Sequence, residues 1–320
     1  MRSLAPAHCR LPLEALPDFD IVAIGEPLYE LNQQPDGRFL PGCGGDTLNV
    51  AVAASRLGAK CAYVTRLGGD IFGDALLQLM LRERIDVSAV ERDADAPTGL
   101  YFVTHGPEGH VFTYRRKASA ASLMTAECLD RQLLGNTRIL HASGISQAIS
   151  ATAAAAVSTA IHEARAAGAF ISYDTNYRPR LWSAGDAWPV IASAVAVAGI
   201  VKTSAEDCAA LIGLAEPQAV ADHLLSLGAG AVLVTLGRDG VLLAERGVTQ
   251  HIPGFAVDAV DATGAGDAFT GAMLAELAAG RRLAAAARFA NAAAALSTQG
   301  YGAIAPLPRR ADVERLLAKQ

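Results

Sequence analysis

The alternation of short β-type runs with longer helix-like segments is the feature that most restricts how this chain can fold. The β-type runs are Asp20–Glu26, Cys61–Gly68, Arg138–Gly144, Ala169–Asn176, Gly199–Ser204 and Ala231–Gly237. The helix-like segments are Thr47–Leu57, Asp74–Arg84, Ala151–Ala167, Gln218–Leu227, Gly266–Ala279 and Leu283–Ser297. This alternation predicts an α/β fold in which a mostly parallel sheet carries helices on both faces.

Asp174, Ser204 and Gly237 fall at or near the carboxyl ends of three of the β-type runs. Ligands of α/β proteins bind beyond the carboxyl ends of the parallel strands. We therefore expect these three residues to lie at one edge of the sheet, beside a ligand site.

Two regions interrupt the alternation. Segments of about residues 28–40 and 98–116 each resemble a short hairpin. In the second segment a Gly-Pro-Glu-Gly turn separates two β-rich runs, which supports that prediction. They indicate either a small sheet that acts as a lid or additional edge strands of the main sheet. We expect one domain over residues 20–310, a loose extension over residues 1–19 and the end of a C-terminal helix over residues 311–320.

Composition excludes several classes of function. The net charge is −5, no Lys/Arg-rich block occurs and aromatic residues make up only 6%, so nucleic-acid binding is not expected. No apolar run reaches the roughly 18 residues that a membrane-spanning helix needs. The five cysteines are scattered, odd in number and without a CxxC pair, which favours small core residues in a reducing cytoplasm.

The segment Val260–Gly271 carries the strongest chemical signal. It follows a β-type stretch and opens an apolar helix, and its glycines Gly264 and Gly266 allow a ligand to approach the backbone. Free N–H groups at a helix start attract anions, so Asp267 stands beside a predicted phosphate site. A carboxylate in that position suits proton abstraction from an attacking hydroxyl, and the alternative is a helix N-cap. The chain has neither GxxxxGK[ST] nor GxGxxG, which argues against P-loop and Rossmann nucleotide sites.

Two glycine-rich segments resemble the signatures of one family. Asp261–Ala272 (DATGAGDAFTGA) is similar to the C-terminal signature of the ribokinase-like (PfkB) carbohydrate kinases, and Gly42–Gly58 is similar to their N-terminal signature. The resemblance runs from about Asp20 to Pro306. It implies the ribokinase-like fold, a three-layer α/β/α domain with a mostly parallel sheet and a small β lid.

The resemblance also implies how the phosphate is handled. Asp267 matches the catalytic base of the family, and the backbone N–H groups of Gly264, Ala265 and Gly266 match its anion hole. Phosphoryl transfer then depends mainly on positioning and on charge neutralisation.

Mg-ATP is the donor that the resemblance implies, and a monovalent cation is an additional cofactor that it admits. Gly237 and Gly240 match the nucleotide loop of the family, and Asn291 stands where members contact adenine, although it could instead be a packing residue. Family members often carry Asn-x-x-Glu near the metal, whereas this chain has Ser204 and Asp207. Asp207 is thus the predicted metal ligand, with a carboxylate one methylene shorter.

Within the family, the chain resembles the 2-keto-3-deoxygluconate (KDG) kinases most. The similar segments are Gly44–Asn49, Pro97–Tyr101, Phe112–Ser122 and Asp174–Trp182, the last also shared with fructokinases. KDG is a sugar acid, and Arg is well suited to bind its carboxylate through paired hydrogen bonds. The predicted substrate-binding residues are Gly45, Asp46, Asn49, Tyr101, Tyr114, Arg116, Arg178 and Asp267. Arg115 replaces a second Tyr that relatives often carry.

Two other functions stay open. A fructokinase or another PfkB hexose kinase would use the same base on a neutral sugar. A sugar-sensing protein on this fold would keep the pocket without catalysis, although Asp267 and its turn favour an enzyme. We also expect a homo-oligomer, since an apolar outer face on the lid would favour a dimer or a larger assembly.

Overall fold

The fold was analysed in a computed structural model that describes residues 17–106 and 109–319. These residues form thirteen strands, β1 to β13 in chain order: Phe19–Ile24, Leu28–Gln33, Phe39–Gly44, Cys61–Gly68, Val90–Asp93, Leu100–Gly106, Gly109–Arg115, Thr137–Ser143, Phe170–Asp174, Ile200–Ser204, Ala231–Thr235, Val241–Glu245 and Val248–Ile252. They also form eleven α-helices, α1 to α11: Asp46–Arg56, Ile71–Arg82, Arg131–Gly135, Gly144–Ala148, Ala151–Ala166, Ala184–Val195, Ala205–Ile212, Pro217–Leu227, Ala265–Ala278, Leu283–Ser297 and Arg310–Leu317.

The main sheet has nine strands in the order β13-β12-β11-β10-β9-β8-β1-β4-β5. All neighbours pair in parallel except β11 with β12 and β12 with β13, which form an antiparallel hairpin at one edge. The predicted mostly parallel α/β sheet is confirmed. Asp174 and Ser204 end the adjacent strands β9 and β10, as the sequence predicted.

Two apolar cores cover the two faces of this sheet. Alternate residues of β1 point to opposite faces, so Ile21 belongs to one core and Val22 to the other. Helices α1, α2, α9 and α10 pack on the first face, and α5, α6, α7 and α8 pack on the second. The chain therefore has the three layers that the sequence indicated.

A separate four-stranded sheet, in the order β3-β2-β6-β7, forms the lid. Strand β2 pairs antiparallel with β3 and parallel with β6, and β6 pairs antiparallel with β7. Both predicted hairpins thus belong to this small sheet rather than to the edges of the main one. The turn residues 107–108, and residues 1–16 of the predicted N-terminal extension, lie outside the described residues.

The sequence analysis did not predict helices α6 and α7 or the β12–β13 hairpin. Helix α6 contains Gly185 and Pro189, which usually break helices, but Ser183 caps its start by accepting from the N–H of Asp186. Helix α2 begins at Ile71, three residues before the predicted start, because Asp70 caps it through the N–H groups of Phe72 and Gly73. Across the described residues, no helix has the length and apolarity that spanning a bilayer would require.

Helices α1 and α9 cross at short range, and this contact positions the site. A Cβ added to Gly271 of α9 would lie 2.5 Å from the carbonyl oxygen of Val50 and 2.6 Å from Cβ of Ala53, both on α1. The absence of a side chain at Gly271 therefore permits the crossing. One turn earlier on each helix, Asn49 and Asp267 meet, because residues four apart share a helix face.

Candidate active site

Asp267 is the third residue of α9 and does not cap the helix. The N-cap is Gly264, whose φ of 75° is in the left-handed region that favours glycine. A Cβ at Gly264 would also lie 2.9 Å from Cβ of Ala303. The carboxylate of Asp267 instead accepts a 2.8 Å hydrogen bond from Nδ2 of Asn49. This contact removes the N-cap alternative, and it places Asn49 inside α1 rather than at its cap.

The turn before α9 offers only part of the predicted anion hole in this conformation. The N–H of Ala265 donates to the carbonyl oxygen of Ala262 at 3.1 Å. The N–H groups of Gly266 and Asp267 lie in the first helical turn, where no intrahelical acceptor exists. These two donors therefore point to an anion at the helix N-terminus, whereas a role for Ala265 stays a prediction.

Asp46 forms a second acidic position close to Asp267. Its Oδ2 accepts hydrogen bonds from Oγ of Ser143 at 2.5 Å and from Nδ2 of Asn176 at 2.9 Å. The residue before it, Gly45, is the N-cap of α1 with φ 114°, and a Cβ there would lie 2.5 Å from the carbonyl oxygen of Glu26. Asp46 and Gly45 thus border the same site as Asp267, and their contact with substrate stays a prediction.

Burial raises the pKa of Asp267 to about 7, and the negative charge of Asp46 adds to this effect. The hydrogen bond from Asn49 and the positive charge of Lys202 act in the opposite direction. A general base works best when its pKa is near the working pH. The carboxylate of Asp267 is therefore suited to accept a proton from a hydroxyl at neutral pH.

Lys202 is a component of the site that the sequence analysis missed. It is buried on β10, and its Nζ lies 3.0 Å from Oδ2 of Asp174. A Cβ at Gly266 would lie 2.9 Å from the same Nζ, which places the ammonium group directly beside the anion-binding turn. The available signal was a lysine within the apolar run Gly199–Ser204 of a strand predicted to be buried.

Tyrosines of the lid line its inner face. The hydroxyl of Tyr101 donates to Oε2 of Glu30 in the neighbouring strand. The ring of Tyr114 stacks on that of Tyr101 with centroids 5.8 Å apart, and the guanidinium of Arg116 lies 5.5 Å from the Tyr114 centroid. The structure therefore groups three of the predicted substrate-binding residues on one surface.

Arg116 already has a carboxylate partner. Its Nε donates to Oε2 of Glu26 at 2.6 Å, and Oγ of Ser119 donates to Oε1 of the same carboxylate at 2.5 Å. The side chains of Arg116 and Glu26 are only 12% and 1% exposed. Glu26 thus links the end of β1 to the base of the lid and neutralises part of the charge predicted to bind substrate.

Arg178, Asp207 and Ser204 form a group at the carboxyl end of β10. Ser204 caps α7 by accepting from the N–H of Asp207 at 3.0 Å, and Arg178 donates to Oδ1 of Asp207 at 3.4 Å. Burial raises the pKa of Asp207. Among the described residues, no cluster of three metal-binding side chains occurs. One carboxylate fits Mg²⁺, which is commonly held by one or two carboxylates together with phosphates and water.

Two of the predicted nucleotide residues, Gly240 and Asn291, lie at the end of β13. Gly240 has φ 99°, and a Cβ there would contact the carbonyl group of Ile252. Nδ2 of Asn291 donates to the carbonyl oxygens of Ile252 and Pro253, each at 3.0 Å. Gly237, with φ 59°, opens the short turn that leads to Gly240. Asn291 therefore fixes the β13 end in this structure, and its contact with adenine stays a prediction.

Fold and site together define a carbohydrate kinase: an α/β sheet with a lid, a half-buried carboxylate and a helix start with free N–H groups beside it. Residues 18–310 match the pfkB family carbohydrate kinases, and the chain belongs to this family. Fructokinase-1 of Zea mays is 37% identical over 316 residues, which cover 93% of this chain and 98% of the relative. The 2-dehydro-3-deoxygluconokinase of Thermoproteus tenax is 31% identical over 323 residues, with 96% of each chain covered.

A solved relative shows the same architecture with ligands. The fructokinase of Vibrio cholerae O395, in its fructose-, ADP- and calcium-bound form, superposes with a TM-score of 0.85 at 28% identity. The match covers 93% of this chain and 99% of the relative. A nucleotide and a divalent cation, the cofactors that the sequence predicted, are thus bound in that structure.

Proposed function

We propose that this chain transfers the γ-phosphoryl group of ATP to the terminal hydroxyl of KDG. Asp267 accepts the proton as the sugar oxygen attacks phosphorus. The N–H groups at the start of α9 bind the transferring phosphoryl group. The observation that carries the kinase assignment is the half-buried Asp267, whose pKa of about 7 suits a base, next to the N–H groups of that helix start.

Asp207 is the residue that we assign to Mg²⁺, with Ser204 fixing the turn in which it stands. When bound with ATP, the metal neutralises phosphate charge. Gly237 and Gly240 provide a backbone surface for the nucleotide, because their positive φ values favour glycine and these two positions carry no side chain. The proposal retains a monovalent cation as an additional cofactor.

Three arginines around Tyr114 support a sugar acid as substrate. Burial raises the pKa of Tyr114, and the positive charges of Arg116, Arg178 and Arg180 oppose this effect. The negative charge of Asp46 adds to the effect of burial, so the support for a bound carboxylate comes from the three guanidinium groups themselves. Arg offers a planar pair of donors for that group.

Fructose is the second candidate, and two observations favour it. Glu26 already neutralises Arg116, which weakens the attraction for a substrate carboxylate. Fructokinases also occur among the relatives, at identities up to the 37% of the maize enzyme. Both candidates are 2-keto sugars with a terminal hydroxyl, so the same base serves either.

A substrate panel tests the assignment. ADP release is measured with KDG, gluconate, fructose, glucose and ribose in the presence of Mg-ATP. We expect kcat/KM to be at least about tenfold higher for KDG than for fructose, the ratio that one charged hydrogen bond supplies. The reverse order would select fructokinase, and the absence of turnover with every sugar would contradict the proposed function.

The variant Arg116→Ala tests whether Arg116 binds the carboxylate of a sugar-acid substrate. We expect KM for KDG to rise by roughly 10- to 150-fold, and KM for fructose much less. Arg115→Ala is the matched control and should have a smaller effect. Because Arg116→Ala leaves Glu26 unpaired, the double variant Glu26→Gln/Arg116→Ala is measured as well. A change of less than about twofold for KDG in both variants would contradict the carboxylate contact.

The proposal extends to assembly and location. On the lid face opposite Tyr101, Phe39 is 42% exposed and packs edge-on against Phe102, and Val111 is 49% exposed. We propose that a second copy of the chain covers this apolar face, which light scattering of the wild type and of Phe39→Asp would test.

Because ATP is the donor and the described cysteines are free thiols, we place the enzyme in the cytoplasm.

A further inference from the structure

Lys202 is a buried cation in an otherwise acidic site. Its Nζ contacts Asp174 at 3.0 Å, and its ammonium group also interacts electrostatically with Asp267 and Asp207. Burial by itself would lower the pKa of Lys202, but these carboxylates outweigh burial and raise it. Lys202 therefore stays charged in the folded protein at neutral pH.

The side chain of Lys202 points toward the turn before α9. The space beside Gly266 lies open because this residue has no Cβ, and Nζ of Lys202 occupies the edge of that space. Gly266 is the second residue of α9, so the same space is adjacent to the free N–H groups of the helix start. Backbone donors and an ammonium group thus converge on one volume.

An ion pair with Asp174 does not by itself explain a lysine at this position. A buried pair adds little net stability compared with apolar residues of similar volume, so its presence calls for another reason. The other groups facing Lys202 are carboxylates, apart from His141, whose burial lowers its pKa to about 4 and keeps it neutral. Among the described residues that border the turn before α9, Lys202 is therefore the buried ammonium group available to an anionic ligand.

We propose that Lys202 contacts the transferring phosphoryl group and is a catalytic residue of the reaction. This inference rests on the proposed function. As the sugar oxygen bonds to the γ-phosphorus, the bond from that phosphorus to the bridging oxygen breaks, and its electron pair leaves with ADP. The proton of the sugar hydroxyl goes to Asp267. Lys202 stabilises negative charge on the phosphoryl oxygens during this step, and Asp174 orients its ammonium group.

The test compares Lys202→Met, Lys202→Arg and the double variant Lys202→Met/Asp174→Asn, with whichever sugar the wild type phosphorylates. Lys202→Met should lower kcat by at least about 100-fold, the usual effect of losing one donor to transition-state charge. KM for the sugar should change by less than about threefold. Lys202→Arg should recover part of kcat, and the exposed control Lys60→Met should behave as wild type.

The stability and the kcat of the double variant together separate catalysis from structure. The double variant removes both buried charges, so it should regain thermal stability while kcat stays low. The acid limb of kcat/KM should also move to higher pH in Lys202→Met, because Lys202 lowers the pKa of Asp267 while Asp46 and Asp174 raise it. A purely structural pair predicts recovery of both stability and kcat in the double variant, whereas the limb moves in either case because it reports the Coulomb interaction of Lys202 with Asp267.

The outcomes distinguish this inference from the function on which it rests. An active wild type with kcat within about threefold in folded Lys202→Met would overturn the role of Lys202 and leave the kinase assignment intact. A wild type that phosphorylates no sugar would contradict the proposed function itself, and with it the basis for this role.

Discussion

The side-chain amide of Asn49 donates a 2.8 Å hydrogen bond to Oδ2 of Asp267, and so connects the two glycine-rich segments of the chain. These residues are 218 positions apart in sequence. Helix α1 carries the donor and α9 the acceptor, and Gly271 permits their close crossing. The bond orients the carboxylate and leaves its other oxygen available for a substrate hydroxyl.

Replacing Asp267 by Asn should nearly abolish turnover without unfolding the protein. An amide cannot accept the proton of the attacking hydroxyl, and loss of a general base typically lowers the rate by about 10²- to 10⁴-fold. Nucleotide binding should persist, which titration calorimetry with ATP would measure. A variant with more than half of the wild-type kcat would refute this role for Asp267.

The activity should fall on the acid side of neutrality. Asp267 must be ionised to act as a base, and its pKa is raised to about 7, so kcat/KM should drop about tenfold per pH unit below that value. In Asn49→Ala the limb should move to higher pH, because the hydrogen bond from Asn49 lowers the pKa of Asp267. Profiles of kcat/KM from about pH 5 to 9 measure the acid limb of the wild type and of Asn49→Ala. A wild-type profile that stays flat on the acid side would contradict the role of Asp267 as a base.

Gly266→Ala should reduce activity while preserving the helix. The added methyl group would lie 2.9 Å from Nζ of Lys202 and displace the ammonium group from the phosphate site. Alanine is favoured over glycine inside helices by roughly 0.5–1 kcal/mol, so the variant should fold.

Gly185→Ala provides the matched control for that variant. Gly185 is also the second residue of its helix, and its added Cβ would come no closer than 3.8 Å to the Oγ of Ser183. Its steady-state kinetics should equal those of wild type. Equal kinetics for both alanine variants would show that the space beside Gly266 is not needed for phosphoryl transfer.

Arg116→Ala should destabilise the protein, apart from any effect on substrate. Removing one partner of a buried ion pair typically lowers the free energy of unfolding by about 3–5 kcal/mol. Without Arg116 the buried Glu26 loses its counter-charge and, because burial already raises its pKa, would be driven to take up a proton. Chemical denaturation measures the free energy of unfolding of Arg116→Ala, which breaks the buried pair, and of Arg115→Ala, which changes the adjacent lid residue. A loss no larger than that of Arg115→Ala would show that Glu26 does not depend on Arg116.

Local sequence patterns predicted the layered fold well. Alternating β-type and helical runs located six strands of the main sheet, and Leu283–Ser297 and Cys61–Gly68 have the predicted bounds. The pattern failed where neighbours override local preference. Helix α6 tolerates Gly185 and Pro189 because Ser183 caps it and its apolar side packs in the second core.

The sequence by itself determined the family and predicted the base and the glycine turn, because Gly264 and Asp267 stand close together in one motif. Only the tertiary structure decided which charges surround them. Lys202 and Asp174 come from adjacent parallel strands, and Glu26 meets Arg116 across 90 positions of the chain. Burial and Coulomb interaction depend on distance in space rather than along the chain. The raised pKa of Asp267, the position of Lys202 and the neutralisation of Arg116 therefore followed only from the folded arrangement.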